Sequence, residues 1–274
     1  MADLSWSISA PWLARENPRL AALFRSFGEA RWAKPSYCPG WTAAHVVSHM
    51  TLGAHFYASV IESGRQGRLE PPFGAKDAAS FRQSREKEMG KLLALPGAER
   101  ADRFEAAVGA LQRTLEGLMP HELDLNGWHP RCPTPIRNYA DQRLYEIILH
   151  EWDIRNEPES DITSAALGAA VEILMERIPF LWENTEHPQV EGRFRFETKN
   201  PDAGWEMETR AGKAALFREG KEKCDALLSA TASDMVLLVC GRGPVPERIK
   251  SGRLGIQGDR AKADVLIGSV FRPY

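Results

Sequence analysis

The sequence predicts an α+β protein in two parts. An antiparallel four-helix bundle occupies residues 1–160, and a smaller α+β domain with an antiparallel sheet occupies 161–274. Three observations carry this reading. Up to about residue 155, apolar residues recur at helical spacing between breaks marked by proline and glycine. At Asn156-Glu157-Pro158 the composition changes. Beyond one further helix, short segments alternate polar and apolar residues, as half-buried strands do.

The elements follow in order. Asn17-Pro18 reads as a cap and first helical position, opening a helix over RLAALFRSFGEARW that stops before Lys34-Pro35. Thr42 is a suitable N-cap for a second helix running to about Ser63-Gly64. The stretch from Gly64 to Lys76 is rich in Gly, Pro and charge and reads as loop. A third helical region spans roughly Ala78 to Leu118 with a break near Pro96-Gly97, and Pro120 to Pro135 is loop. Thr134 and Pro135 start a fourth helix that runs to about Arg155. Such helices bury their apolar faces against one another. In the second part, a helix over Ser164 to Glu183 precedes strands in GRFRFET, GWEMETR, AALFRE and ALLSAT. SDMVLLVCGR reads as a helix ending in Gly241, GRLGIQGD as a strand and turn, and KADVLIGSVF as a closing helix or strand.

Composition narrows the function classes. A chain of 274 residues, 43% hydrophobic and 26% charged, is ordinary for a soluble globular protein. A net charge of −2 gives no general attraction to nucleic acid or an anionic membrane. No apolar run reaches the length, about 18 residues, that a membrane span needs. MADLSWSISAPWLAREN lacks the basic-then-apolar order of a secretory signal, and Cys38, Cys132, Cys224 and Cys240 show no CxxC spacing. Neither a cysteine zinc site nor a disulfide framework is indicated, and a reduced cytoplasmic location is expected.

Two segments hold residues suited to chemistry. In RLYEIILHEWDIR, Glu146 and His150 lie one helical turn apart, with Arg143 before and Asp153 after them on the same stripe. Read alone, this stripe is either a salt-bridge ladder, Arg143–Glu146 and His150–Asp153, or a Glu/His pair offering one oxygen and one nitrogen to an ion. In CPGWTAAHVVSHM, His49 shares an inward stripe with Val46, Gly53, Phe56 and Val60, whereas His45 falls in the first helical turn and His55 faces the surface. An interior histidine on one helix and a Glu-x3-His pair on another can converge within a bundle as a His2Glu set with open coordination positions. That is a catalytic zinc pattern, and nickel, iron or manganese suit the same donors.

CPGWTAAHVVSHM resembles the cysteine-proline-glycine-tryptophan-threonine opening of the second helix in the mycothiol-dependent maleylpyruvate isomerase family, which belongs to the DinB/YfiT-like metalloenzymes. In that family the ligand histidine stands eight residues after the tryptophan, which corresponds to His49 after Trp41. The family's E-x3-H-x2-D segment is matched by Glu146, His150 and Asp153, and VLLVCGR with GRLGIQGD resembles its sterol-carrier-like second domain. The resemblance implies a DinB-like bundle binding a divalent metal, usually zinc, through His49, Glu146 and His150. It also implies a low-molecular-weight thiol such as mycothiol, activated as a metal-bound thiolate for isomerisation of, or addition to, a small electrophile such as an unsaturated keto acid. Arg242, in the glycine–arginine corner, is then the candidate for gripping a substrate or thiol carboxylate; its plain reading is a helix C-terminal charge. Asp153 either orients His150 or serves a capping or solvent-facing role.

This chain departs from its relatives in having His45 at a usually acidic or polar position and a longer loop and helix between Gly64 and Pro96. These regions are candidates to line a substrate pocket. Trp128 and His129, in the loop before the fourth helix, either reach the metal face or are surface-loop residues, the second being preferred; Cys38 reads as part of the turn in preference to a nucleophile. Two competing functions remain: a metal-dependent hydrolase using metal-bound water, and a non-enzymatic carrier or sensor of a small apolar ligand.

Overall fold

In the computed structural model, residues 6–186, 190–218, 220 and 223–272 are described. The chain divides into two compact units, Met1–Pro158 and Glu159–Tyr274. No helix among the described residues is long and apolar enough to cross a membrane.

The first unit holds helices α1 (Ala10–Arg25), α2 (Glu29–Trp32), α3 (Ala43–Arg65), α4 (Ala78–Leu93), α5 (Gly97–Glu116) and α6 (Asn138–Arg155). Helices α1 and α3 each pack on both α5 and α6, which makes the four-helix bundle, and α4 lies against α3. The bundle closes because each helix presents one apolar stripe: Leu13, Leu20 and Phe24 on α1, Val46, Met50 and Val60 on α3, Phe104, Val108 and Leu111 on α5, Leu144 and Ile148 on α6, all buried. Each such side chain contributes about 1.5–3 kcal/mol on burial. Phe24 and Phe104 meet edge to face with ring centroids 4.9 Å apart.

Three boundaries differ from expectation. Helix α1 begins at Ala10, with Pro18 inside it, and a break at Ser26–Gly28 separates it from α2. An interior proline costs about 3 kcal/mol, but the buried stripe from Ala10 through Leu13 to Leu20 is continuous and outweighs it. Thr134–Pro135 do not open α6; they form strand β2, paired with β1 (Asn126–Gly127), and the helix starts at Asn138. Helix α6 ends at Arg155, as expected, and its cap Asn156 adopts the left-handed conformation with φ 53° ahead of Pro158.

The second unit contains α7 (Leu167–Glu183), β3 (Gly192–Lys199), β4 (Ala203–Arg210), β5 (Lys213–Phe217), β6 (Ala226–Thr231), α8 (Ala232–Val239), α9 (Val245–Lys250), β7 (Leu254–Gly258) and α10 (Arg260–Val270). Glu219, the last residue of the expected AALFRE strand, lies outside the described residues. The sheet order is β5-β4-β3-β6-β7. The expected antiparallel sheet needs one correction, since β6 runs parallel to β3, with Phe194 opposite Ala226 and Phe196 opposite Leu228. After the β3-β4-β5 meander, the chain returns to the open edge of β3, where β6 can pair, and β7 then adds antiparallel. Period-2 alternation places side chains on faces but leaves strand direction open. Phe194, Phe196, Trp205, Met207 and Leu228 are buried, with Phe196 and Trp205 stacked at 5.1 Å.

Candidate active site in the helical unit

The CPGW stretch is a tight turn with a physical reason for each residue. Trp41 N–H donates to Cys38 O at 3.0 Å, and Gly40 at the third position has φ 77°. Proline then glycine at the central positions is the chemistry of a type II turn. The turn is fastened to α6, because Tyr37 N–H donates to Asp153 O at 2.8 Å and the Cys38 thiol donates to Asp153 Oδ2 at 3.3 Å. From this anchor α3 departs in a fixed direction. His45 closes its first turn, with Nδ1 accepting from Thr42 N–H at 3.2 Å and lying 2.8 Å from Thr42 Oγ1. That imidazole acts as a helix cap, the role usually played by a glutamate in a capping box. His55 is exposed, as expected.

His49 and the α6 pair come together. His49 Nε2 lies 3.9 Å from Glu146 Oε1, and the rings of His49 and His150 meet edge to face with centroids 4.7 Å apart. The side chains of His49, Glu146 and His150 retain 15%, 13% and 10% exposure, so all three are largely buried yet still touch solvent. Trp41 tilts against His49 at 5.3 Å. Gly53, one turn on from His49, leaves room for the carboxylate: a Cβ there would stand 2.7 Å from Glu146 Oε2. The same oxygen of Glu146 accepts from Nη1 of Arg143, a fully buried side chain, at 3.3 Å.

Asp153 is the residue whose role the sequence left open. It is fully buried, and its Oδ2 accepts from His150 Nδ1 at 2.8 Å as well as from Cys38. It therefore orients the histidine and has no solvent-facing role. Cys38, His150 and Asp153 also form a group in which one donor atom from each lies within 4.8 Å of the others; among the described residues no such group combines His49, Glu146 and His150.

Two further corrections concern the neighbouring aromatic wall. Trp128 and His129 are half-buried, not surface-loop residues. Trp128 packs at 5.0 Å on Phe81 of α4 and 6.2 Å on Phe56 of α3, and His129 lies 6.3 Å from Phe56. Burial, helped by Arg131, pulls the His129 imidazole below its ordinary pKa, while the nearby Glu146 carboxylate acts in the opposite direction. Tyr139, whose hydroxyl donates to Trp128 O at 2.9 Å, has its pKa raised by burial. The Gly64-to-Pro96 segment reaches the site as well, since Arg85 of α4 places Nη2 2.8 Å from His49 Nδ1. Sequence reasoning missed Arg85, which sits among charged neighbours on a largely exposed helix.

Arg242 belongs to the second unit, just past the end of α8. Its Nη1 donates to Cys240 O at 2.9 Å, the contact of a helix C-terminal charge. The same unit carries an open cleft of about 910 Å³ whose walls include Glu159, Asp161, Asp202, Asp234 and Arg253. Asp234, almost wholly buried, is paired there with Arg253 Nη2 at 2.8 Å.

A comparison with curated proteins returns no match. Among solved structures, the mycothiol-dependent maleylpyruvate isomerase aligns with TM-score 0.62 at 13% identity, covering 93% of this chain and 94% of that one. A histidine-to-alanine mutant of that enzyme aligns with TM-score 0.61 at the same identity and coverage. At this identity the likeness speaks for the fold. Residues 176–269 match the SCP-2 sterol transfer family. Residues 13–155, which include the CPGW turn, α3 and α6 with their histidines and carboxylate, match the mycothiol maleylpyruvate isomerase N-terminal domain, and the chain belongs to that family.

Proposed function

We propose that the protein is a metal-dependent, thiol-using enzyme, an isomerase or S-transferase acting on a small electrophile such as an unsaturated keto acid, with mycothiol or a similar thiol as co-reactant. The observation that carries the reading is the approach of His49 to both Glu146 and His150, from two helices, with all three side chains largely buried. Family membership supports it.

The donor set fits a divalent cation. Two imidazoles and one carboxylate suit zinc, and Asp153 holds the His150 hydrogen on Nδ1, leaving the Nε2 lone pair for a ligand bond. His49, Glu146 and His150 would hold the cation. When bound, it would keep a coordinated thiol deprotonated near neutral pH. The chain's own residues do the remaining work. Arg143 balances the Glu146 charge, Asp153 fixes the His150 ring, and Trp41, packed on His49, would shield the reacting atoms from water on that side. In the isomerase reaction the thiol sulfur adds to a conjugated double bond, the resulting single bond rotates, and departure of the thiol restores the double bond with no net redox change. Arg242 is proposed as the carboxylate-gripping residue, by virtue of its planar fork of donors.

A second donor set deserves a test because its atoms are mutually closer: Cys38, His150 and Asp153. Its internal contacts are already accounted for as hydrogen bonds to the Asp153 carboxylate, so the first set is preferred. The carrier reading draws little support from the second unit's cleft, whose lining includes the charged residues Glu159, Asp161, Asp202, Asp234 and Arg253.

The deciding experiment compares wild type and His49→Ala for zinc content and for thiol-dependent turnover of a panel of electrophiles. Wild type should hold about one equivalent of metal and require the thiol, and the variant should lose both properties. Full metal occupancy in the variant would remove His49 from the site. Turnover by wild type without thiol would replace the thiol reading with hydrolysis.

A further inference from the structure

The two histidines of the site are set in opposite ways. At His150 the Nδ1 partner is a carboxylate oxygen, 2.8 Å away. An ionised carboxylate only accepts, so Nδ1 donates and Nε2 keeps its lone pair. At His49 the Nδ1 partner is Nη2 of Arg85, also at 2.8 Å. A guanidinium only donates. His49 Nδ1 therefore accepts, and the ring hydrogen sits on Nε2, the atom that points at Glu146 Oε1 across 3.9 Å.

A nitrogen that carries the hydrogen cannot bind a cation. For His49 to serve through Nε2, its hydrogen must move to Nδ1, where it would meet an Arg85 N–H head on. For His49 to serve through Nδ1, the cation must take the place that Arg85 holds. Both routes require the guanidinium to leave. Ligand histidines ordinarily hand their second N–H to an acceptor, and Arg85 is the opposite of an acceptor.

We propose that Arg85 is a displaceable latch on His49, competing with the cation for this histidine and released when the site is loaded. This rests on the reading that His49 is a ligand. The construction of α4 suits a release. Phe81 is its only buried residue, packed at 5.6 Å on Phe56 and 5.0 Å on Trp128. Arg85 itself, one turn further along, is half-exposed, so its head can swing into water without unpacking the helix.

The test uses zinc alone, titrated into metal-free full-length protein against a competing chelator, with the wild type, Arg85→Gln and Arg85→Lys. Glutamine presents an oxygen that can accept from an Nδ1 hydrogen, whereas lysine remains a charged pure donor. Arg85→Gln should bind zinc about tenfold tighter than wild type, the scale of one charge-assisted hydrogen bond, and Arg85→Lys should stay within about twofold of wild type. Nitrogen NMR of the metal-free wild type should place the His49 ring hydrogen on Nε2, and zinc should move or remove it. Equal or weaker zinc binding by Arg85→Gln would overturn the latch while leaving His49 as a ligand. A His49 hydrogen on Nδ1 in the metal-free protein would overturn it too. Zinc binding that His49→Ala does not change would overturn the ligand reading and the latch together.

Discussion

His150 Nδ1 lies 2.8 Å from Oδ2 of Asp153, one turn further along the same helix, and that carboxylate is fully buried. The same oxygen accepts the Cys38 thiol from the turn that launches α3. One carboxylate thus sets the tautomer of a histidine on α6 and fastens the turn through which the sequence reaches His49. Asp153→Ala should lower zinc affinity about 10–100-fold, the usual cost of losing an orienting partner of a ligand histidine. It should also destabilise the fold by about 1–3 kcal/mol, because a buried N–H loses its acceptor. Asp153→Asn retains an acceptor oxygen and should fall between wild type and alanine in both zinc titration and thermal unfolding.

Cys38 separates the two donor sets. If the cation is held by His49, Glu146 and His150, Cys38→Ala removes only a thiol donor, and zinc affinity should stay within about threefold of wild type, since neutral hydrogen bonds of this kind are weak. If Cys38 is itself a ligand, affinity should collapse. Cobalt substitution gives a second readout, because a thiolate–cobalt charge-transfer band would appear in wild type and vanish in the variant.

Gly53 is expected to govern the site more than the fold. A Cβ there would stand 2.7 Å from Glu146 Oε2 and 3.0 Å from Arg143 Nη1, both the far ends of flexible side chains. In mid-helix, alanine is better than glycine by about 1 kcal/mol, which offsets much of the strain of moving them. Gly53→Ala should therefore unfold within about 1 kcal/mol of wild type in denaturant while losing zinc affinity, because Glu146 is pushed away from His49. A large loss of stability with zinc binding intact would contradict this account.

Arg143 and Glu146 form a partly desolvated pair, with the arginine wholly buried. Removing the cation alone leaves a carboxylate in a costly place, so Arg143→Met should destabilise the protein by about 3–5 kcal/mol. Adding Glu146→Gln to that variant should recover part of the loss. The two changes would then be non-additive in denaturant unfolding, as expected for directly interacting groups.

Much of this arrangement was legible in the sequence, and the remainder was hidden for physical reasons. Helical spacing in RLYEIILHEWDIR places Glu146 and His150 on one face, and the stripe through Val46, Gly53 and Phe56 turns His49 inward. The turn residues Pro39 and Gly40 announce where α3 begins. Spacing along one helix cannot tell whether a flanking aspartate meets solvent or a second element, and the burial of Asp153 depends on the CPGW turn lying over it. Arg85 was illegible for a similar reason: a charged residue on a mostly exposed helix reads as solvated, and its reach to His49 is a tertiary fact. Pro18 misplaced the start of α1 because a proline at a first helical position and one carried within a well-packed helix look alike in sequence. The parallel pairing of β3 with β6 was hidden because alternation specifies faces, not partners.

In the second unit, acid stability should depend on Asp225. Its Oδ1 accepts from Lys262 Nζ at 2.8 Å and its Oδ2 from Arg193 N–H at 2.8 Å, so one carboxylate joins β3, the start of β6 and α10. The Lys262 hydrogen bond and then that of Arg193 hold the carboxyl below the usual aspartate range, and the same pair holds the Lys262 ammonium above its ordinary value. A carboxyl depressed in the folded state contributes stability that is present above its unfolded pKa, about 3.9, and is lost as the pH falls through the folded value. A lysine raised in the folded state contributes stability below about pH 10.4, lost as the pH rises through its folded value. The pair should therefore stabilise the unit between about pH 5 and pH 10. Asp225→Asn keeps an acceptor for Arg193 but abolishes the charge. Its melting temperature should lie below that of wild type across this window, and the gap should close as the pH is lowered towards 3. A gap that stays constant from neutral to acid pH would mean that Asp225 acts through its shape and hydrogen bonds, with its charge contributing nothing.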